Sequence, residues 1–65
     1  MLEHLSHRQR EVASLLPDGL SDKEIGARLG IAEATVGVHL QTVYRCLGVN
    51  NRTQAAVKLT LGAGT

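Results

Sequence analysis

The sequence contains one cysteine, Cys46, and one aromatic residue, Tyr44. A single cysteine cannot form a disulfide within the chain, and it excludes a four-cysteine zinc site. Modules that bind RNA or single-stranded DNA stack bases on several aromatic side chains, so the composition argues against them. A chain of 65 residues buries only about 60% of its unfolded surface, which leaves little core around a catalytic pocket. We therefore do not expect an enzyme.

The sequence also lacks any long apolar run, and its first ten residues are mostly polar. A membrane-spanning helix needs about 20 apolar residues, and a signal peptide needs a shorter apolar stretch near the N-terminus. We therefore expect a cytoplasmic protein in a reducing compartment, with no membrane partner.

Charge is distributed unevenly along the chain, although the net charge is only +1. Residues 1–33 contain all six acidic residues and four basic ones. Residues 34–65 contain no acid and three bases: Arg45, Arg52 and Lys58. The second half therefore has the charge expected of a surface that faces phosphates, although a chance imbalance among so few charges remains an alternative.

Capping residues and apolar spacing predict an all-α domain of four helices within residues 1–65. Ser with Gln or Glu three positions later forms a capping box, and this pair precedes the first two predicted helices. The predicted helices are about 6–16, 22–29, 33–47 and 51–61, with capping pairs Ser6/Gln9, Ser21/Glu24 and Asn51/Gln54. The third helix has a narrow apolar stripe: Val36, Leu40, Val43 and Leu47.

Only three residues, 30–32, separate the second predicted helix from the third. Gly30 permits a left-handed helix end, and apolar Ile31 can fill the corner between the helices. So short a turn makes the helices cross steeply, as in a helix-turn-helix unit that places its second helix in the major groove of DNA. An ordinary helical hairpin in a small bundle remains an alternative at this point.

The face of the third helix opposite its apolar stripe carries no acid. At 100° per residue this face comprises Ala34, Val38, Gln41 and Arg45, flanked by Thr35 and Thr42. Gln41 can donate to and accept from adenine, and Val38 can contact a thymine methyl group. Arg45 can reach a phosphate or a guanine edge. These residue types predict contact with double-stranded DNA.

The chain resembles the LuxR-type helix-turn-helix family, the output domain of quorum-sensing regulators and of many two-component response regulators. The resemblance covers about residues 5–58 and depends on three stretches together: GLSDKEIGARLGI, TVGVH and LGVNNRTQAA. It implies a four-helix fold in which the second and third helices bind DNA and the fourth forms a dimer interface. It also implies that Thr35, Val38 and Gln41 face bases or nearby backbone, and that Lys23, His39 and Arg45 approach phosphates. The full predicted DNA-binding set is Lys23, Thr35, Val38, His39, Gln41, Thr42 and Arg45.

Five positions depart from the family pattern: Gln9, Gly26, Ala32, Gly37 and Cys46. Gly37 stands where the family usually has a DNA-contacting lysine, and Cys46 where a basic residue is common. Ala32 replaces a capping Ser or Thr, Gln9 replaces a glutamate, and Gly26 replaces an alanine. Fewer cations mean fewer phosphate contacts, and each lost contact lowers the slope of log affinity against log salt by about 0.9. We therefore expect weak binding that depends on dimerisation.

The fourth helix has two apolar sides. Ala55, Ala56 and Leu59 form one stripe, whereas Val57 and Leu61 lie on a different side. A helix that covers a single core needs only one stripe, so Val57 and Leu61 predict a homodimer interface. Packing of these two side chains near the chain end is the alternative.

No group of residues in the sequence has the spacing of a known cofactor, metal or small-molecule site, so we expect no such ligand. His4, His7 and His39 with Cys46 do not have zinc-site spacing. Arg52 is expected to have a structural role, bridging back to Glu11 or another acid of the first helix.

Two further functions remain alternatives to sequence-specific DNA binding as a regulator's output module. One is a protein-interaction module, which the substitutions at Gly37 and Cys46 would suit. The other is a promoter-binding domain like that of a sigma factor, against which the LGVNNRTQAA stretch argues. RNA polymerase is a further candidate partner of a DNA-bound regulator.

Overall fold

The computed structural model describes residues 2–63, which form four α-helices and a short 3₁₀ helix, with no strand in this range. The elements are the 3₁₀ helix Leu2–His4, α1 His7–Ser14, α2 Asp22–Leu29, α3 Glu33–Leu47 and α4 Arg52–Ala63. The predicted all-α, four-helix architecture is confirmed, and α2 and α3 have the predicted bounds. Within residues 2–63, the helices are too short or too polar to cross a membrane.

Two capping boxes start α1 and α2, as predicted. The Gln9 backbone N–H donates to Ser6 Oγ at 3.1 Å, and the Ser6 N–H donates to Gln9 Oε1 at 2.9 Å. At α2 the Glu24 N–H donates to Ser21 Oγ at 3.2 Å, and the Ser21 N–H donates to Glu24 Oε1 at 2.9 Å. These bonds satisfy backbone donors that the first turn of a helix cannot pair internally.

The first helix ends earlier than predicted, at Ser14 rather than near residue 16. The Leu15 N–H bonds to the Val12 carbonyl, and the Leu16 N–H bonds to the Ala13 carbonyl, which is a tighter i to i−3 pattern. Pro17 contributes to the early end, because proline disfavours helical dihedral angles in the residue before it, Leu16. Helix ends commonly tighten in this way over the last turn.

The start of α4 uses Asn51 as predicted, with one difference. Asn51 Oδ1 accepts from the Gln54 N–H at 2.9 Å. Gln54 Oε1, however, accepts from the N–H of Asn50 rather than Asn51, so the reciprocal half of the capping box is displaced by one residue. The described helix runs over Arg52–Ala63 instead of the predicted 51–61.

The core lies around α3, against which α1, α2, α4 and the 3₁₀ helix all pack. The predicted stripe of α3 is fully buried, and Val36 and Val43 have no exposed surface. The buried apolar residues are Leu5, Val12, Ala13, Leu16, Ile25, Val36, Leu40, Val43, Leu47 and Ala55. Because one side of α3 is committed to this core, its opposite side is presented outward.

Candidate nucleic-acid interface

The corner between α2 and α3 is closed by backbone hydrogen bonds to one carbonyl group. Gly30 adopts a left-handed conformation with φ 73°, and its N–H donates to the Gly26 oxygen. The Ile31 N–H donates to the same oxygen at 2.9 Å. Ile31 is half-buried and packs against the core, as predicted for a residue that fills the corner.

Gly26 allows this corner to be as tight as it is. It is buried, and a Cβ atom built on it would lie 2.6 Å from the Ile31 carbonyl oxygen. Real Cβ contacts are not that short, so the backbone of the corner can approach α2 this closely because residue 26 has no side chain. The sequence identified Gly26 only as a departure from a family pattern; its closeness to Ile31 depends on the folded turn.

The first turn of α3 has no side-chain cap. Ala32 occupies the N-cap position and, as predicted, makes no capping hydrogen bond through its side chain. Its carbonyl oxygen accepts from the Val36 N–H at 3.1 Å, which is the first bond of the helix. The other N–H groups of this turn lack the side-chain partner that Ser or Thr would supply.

The structure places the predicted contact residues on the outside of α2 and α3. Val38 is 64% exposed, a high value for a valine in a folded domain. The exposed members of the predicted set are Lys23, Thr35, Val38, Gln41 and Arg45, and the half-buried members are His39 and Thr42. None lies in the core, so the outward face of α3 is an accessible surface of small, polar and basic side chains.

Arg52 pairs with Asp22 at the start of α2, and not with Glu11 as expected. Its Nη2 contacts Asp22 Oδ1, and its Nη1 donates to the Leu20 carbonyl oxygen at 2.9 Å. Glu11 instead contacts Arg8 at 3.5 Å and His7 at 3.6 Å within α1. Arg52 therefore has a structural role, as predicted, but its partner helix is α2 and not α1. The first turn of α4 lies beside the N-terminus of α2.

The exposed apolar residues of α4 lie away from the core. Val57 is 54% exposed and Leu61 is 66% exposed, whereas Ala55 is fully buried and Leu59 is half-buried. The two apolar sides predicted for this helix are therefore present. Val57 and Leu61 contribute to an open, mainly apolar groove lined by Gly48, Val49, Thr53, Gln54, Val57, Lys58 and Leu61.

Potential metal ligands do not converge in the part of the chain that the structure describes. No group of three or more His, Cys, Asp or Glu side chains is close enough there to hold a metal ion. Cys46 is half-buried and packs against the core from the side of α3.

Comparisons with known proteins find relatives that match nearly the whole chain. The family model described as bacterial regulatory proteins, luxR family, matches residues 3–59. The chain is 50% identical to YhjB of Escherichia coli (strain K12) over 62 residues, which are 95% of this chain and 31% of that protein. It is 44% identical to the spore germination protein GerE of Bacillus subtilis (strain 168), covering 85% of this chain and 74% of GerE.

A solved structure agrees with these sequence matches. The crystal structure of the response regulator ChrA, from a heme-sensing two-component system, superposes with a TM-score of 0.82 and 42% sequence identity. The match covers 91% of this chain and 29% of the ChrA chain. Like the match to YhjB, it therefore spans about a third or less of the longer protein.

Proposed function

We propose that this chain, which belongs to the luxR family of bacterial regulatory proteins, reads double-stranded DNA with α3 in the major groove. It is a helix-turn-helix DNA-binding domain of the kind found in transcriptional regulators. The observation that carries the proposal is the outward face of α3. Val38, Gln41 and Arg45 are all exposed along one side of a helix whose other side is buried.

Base readout is assigned to Val38 and Gln41. They are three residues apart on α3, so their side chains lie one above the other on the same face of the helix. Gln41 is suited to the paired donor and acceptor of adenine, and Val38 is suited to the methyl group of thymine. We therefore expect a binding site in which A·T pairs are read at these two positions, with Thr35 and Thr42 at the edges.

Phosphate contacts are assigned to Lys23, His39 and Arg45. Lys23 is exposed on the first turn of α2, and Arg45 is exposed near the end of α3, so the two cations lie on different helices of the unit. Cations placed in this way fix the orientation of a helix in a groove without reading sequence. Because Gly37 and Cys46 carry no charge, the isolated domain has few such contacts and we expect weak binding.

A homodimer would compensate for weak binding by each copy. The exposed side chains Val57 and Leu61 supply an apolar surface on α4 that can pair with its own copy around a two-fold axis. Two recognition helices would then meet half-sites about one DNA turn, or roughly 34 Å, apart. The dimer would act as the output module of a longer regulator whose other part receives the signal.

Selection of bound duplexes from a random double-stranded library tests the proposal. We expect enrichment of a defined sequence, followed by saturable binding of that duplex in fluorescence anisotropy titrations. A palindromic site would support the two-fold dimer. Failure to enrich any sequence, with no duplex binding at low salt and high micromolar protein, would contradict the proposal.

The double variant Arg45→Ala with Gln41→Ala separates DNA binding from a protein-interaction function. On the proposal, this variant loses affinity for the selected duplex. Unchanged DNA affinity, together with loss of a protein partner, would favour the interaction module instead.

A further inference from the structure

Asp22 lies where three helices meet. It is the first residue of α2, and its Oδ1 pairs with Arg52 of α4. A Cβ built on Gly37 of α3 would lie 4.0 Å from Asp22 Oδ2. Arg52 also donates to the Leu20 carbonyl oxygen, two residues before α2 begins. One arginine of α4 therefore holds both the backbone before α2 and the side chain that starts it.

The other basic residue of α4 makes a similar contact at the far end of the DNA-binding unit. Lys58 Nζ donates to the carbonyl oxygen of Leu47, the last residue of α3, at 2.7 Å. The carbonyl groups at the end of a helix have no partner within it, and a cation there also complements the helix dipole. Arg52 and Lys58 thus contact the beginning of α2 and the end of α3.

We infer that Arg52 and Lys58 of α4 are positioning residues for DNA recognition, which fix α2 and α3 in the relative orientation that fits the groove. The inference rests on the proposed DNA-binding function. The side chains of Arg52 and Asp22 are 36% and 31% exposed, so their pair is partly shielded from water. Lys23, the proposed phosphate contact of α2, is the residue after Asp22, and a shift of Asp22 would move it relative to α3.

This arrangement gives α4 a second role beside the proposed dimer interface. Its apolar residues Val57 and Leu61 point outward, while its two cations point back at the helix pair. A change in how α4 packs would therefore alter the placement of the recognition helix in each copy.

The test compares Arg52→Ala, Arg52→Lys and Asp22→Asn, using the duplex selected by the unchanged chain and a scrambled duplex of equal length. We expect Arg52→Ala to lower the ratio of selected to scrambled affinity about three- to tenfold. The slope of log affinity against log salt should stay unchanged, because Arg52 does not contact phosphate. Arg52→Lys should recover part of the ratio, since it keeps the charge that faces Asp22.

Asp22→Asn provides a test in which the two explanations predict opposite changes in DNA affinity. Removing a carboxylate beside a DNA-facing helix would by itself strengthen binding, because it reduces repulsion of phosphates. If Asp22 acts through Arg52, affinity for the selected duplex falls instead. Lys58→Met should likewise lower the affinity ratio without changing the salt slope.

Several outcomes would overturn the inference. An unchanged affinity ratio in folded Arg52→Ala, or tighter selected binding by Asp22→Asn, would show that the contacts are structural only. A salt slope lowered by about 0.9 in Arg52→Ala would show that Arg52 contacts phosphate. If Arg52→Ala does not fold, as judged by circular dichroism, Asp22→Asn and Lys58→Met decide the question. Failure to select any duplex would refute the proposed DNA-binding function itself. The other outcomes bear only on the positioning role of Arg52 and Lys58.

Discussion

Gly37 on α3 lies beside Asp22 at the start of α2, with 4.0 Å between the position of a Cβ on Gly37 and Asp22 Oδ2. In the described part of the chain, apart from the neighbours Val36 and Val38 and the local backbone of α3, no other atom comes within 4 Å of that position. A side chain can therefore be added at residue 37 without a clash. This open space lies one residue before Val38, on the edge of the proposed DNA-binding face.

Gly37→Lys should strengthen DNA binding. It adds a cation at the edge of the recognition surface, so we expect the salt slope to become steeper by up to about 0.9. Gly37→Ala is the matched control, because it should raise the unfolding free energy by up to about 1 kcal/mol without adding charge. Salt titrations and urea unfolding of both variants measure these effects. Equal salt slopes for the two variants would show that residue 37 does not face phosphate.

Lys23→Ala and Arg45→Ala should each weaken binding to every duplex by a similar factor. Each substitution removes one proposed phosphate contact, which lowers the magnitude of the salt slope by about 0.9. Anisotropy titrations across about 50–200 mM salt give the slope for the selected and scrambled duplexes. An undiminished slope in either variant would remove that residue from the interface.

Gln41→Ala should relax sequence preference rather than salt dependence. Loss of a bidentate contact to adenine costs about 1–3 kcal/mol of discrimination at one base pair. Repeating the duplex selection with the variant should show reduced preference at a single position of each half-site. Thr60→Ala, on α4, is the control and should reproduce the original preference. A variant that selects the same sequence with the same stringency would show that Gln41 does not read a base.

Leu61→Asp should abolish self-association and leave the fold of each copy intact. Leu61 is 66% exposed, so an aspartate there stays hydrated in the monomer but would be buried unpaired in a dimer. Sedimentation equilibrium measures the change in association. Val38→Ser serves as the control, because it alters a similarly exposed apolar residue on α3 instead of α4. Equal association of the unchanged chain and Leu61→Asp would place any dimer contact elsewhere.

Acid should remove the contribution of the α2 capping box to stability. Hydrogen bonding by the Ser21 backbone N–H, and to a smaller extent by the Ser21 hydroxyl, holds the pKa of Glu24 below its usual value of 4.5. A lowered pKa in the folded state stabilises the fold above the unfolded pKa, and this contribution is lost as pH falls through the folded pKa. The difference in melting temperature between the unchanged chain and Glu24→Gln should therefore shrink below about pH 4.5. A difference that is constant down to about pH 3 would contradict the assignment.

Local features of the fold could be predicted because their causes lie within four residues. The Ser21/Glu24 box and the left-handed Gly30 depend on neighbouring positions, and the buried stripe of α3 follows from helical spacing. Pro17 was recognised as a helix stop, but the tightened turn that ends α1 at Ser14 was not. That difference depends on how the last residues share hydrogen bonds, which residue type alone does not determine.

Contacts between distant parts of the chain could not be predicted in the same way. Arg52 and Asp22 are 30 residues apart, and a long arginine side chain can reach any of several acids. The sequence therefore predicted an acid of the first helix as the partner, whereas the observed partner is on α2. The tight approach of Ile31 to Gly26 requires the corner to be folded before it can be seen. The exposure of Val38, Gln41 and Arg45, by contrast, followed directly from the stripe on the opposite side of α3.

Modified bases test the placement of α3 in the major groove most directly. Uracil in place of thymine removes a methyl group from the major groove, and 7-deazaadenine in place of adenine removes the N7 acceptor; neither changes the minor-groove edge. We predict that both changes weaken binding of the selected duplex, and that Val38→Ala makes the chain insensitive to the loss of the thymine methyl group. Equal affinity for the modified and unmodified duplexes would contradict recognition through the major groove.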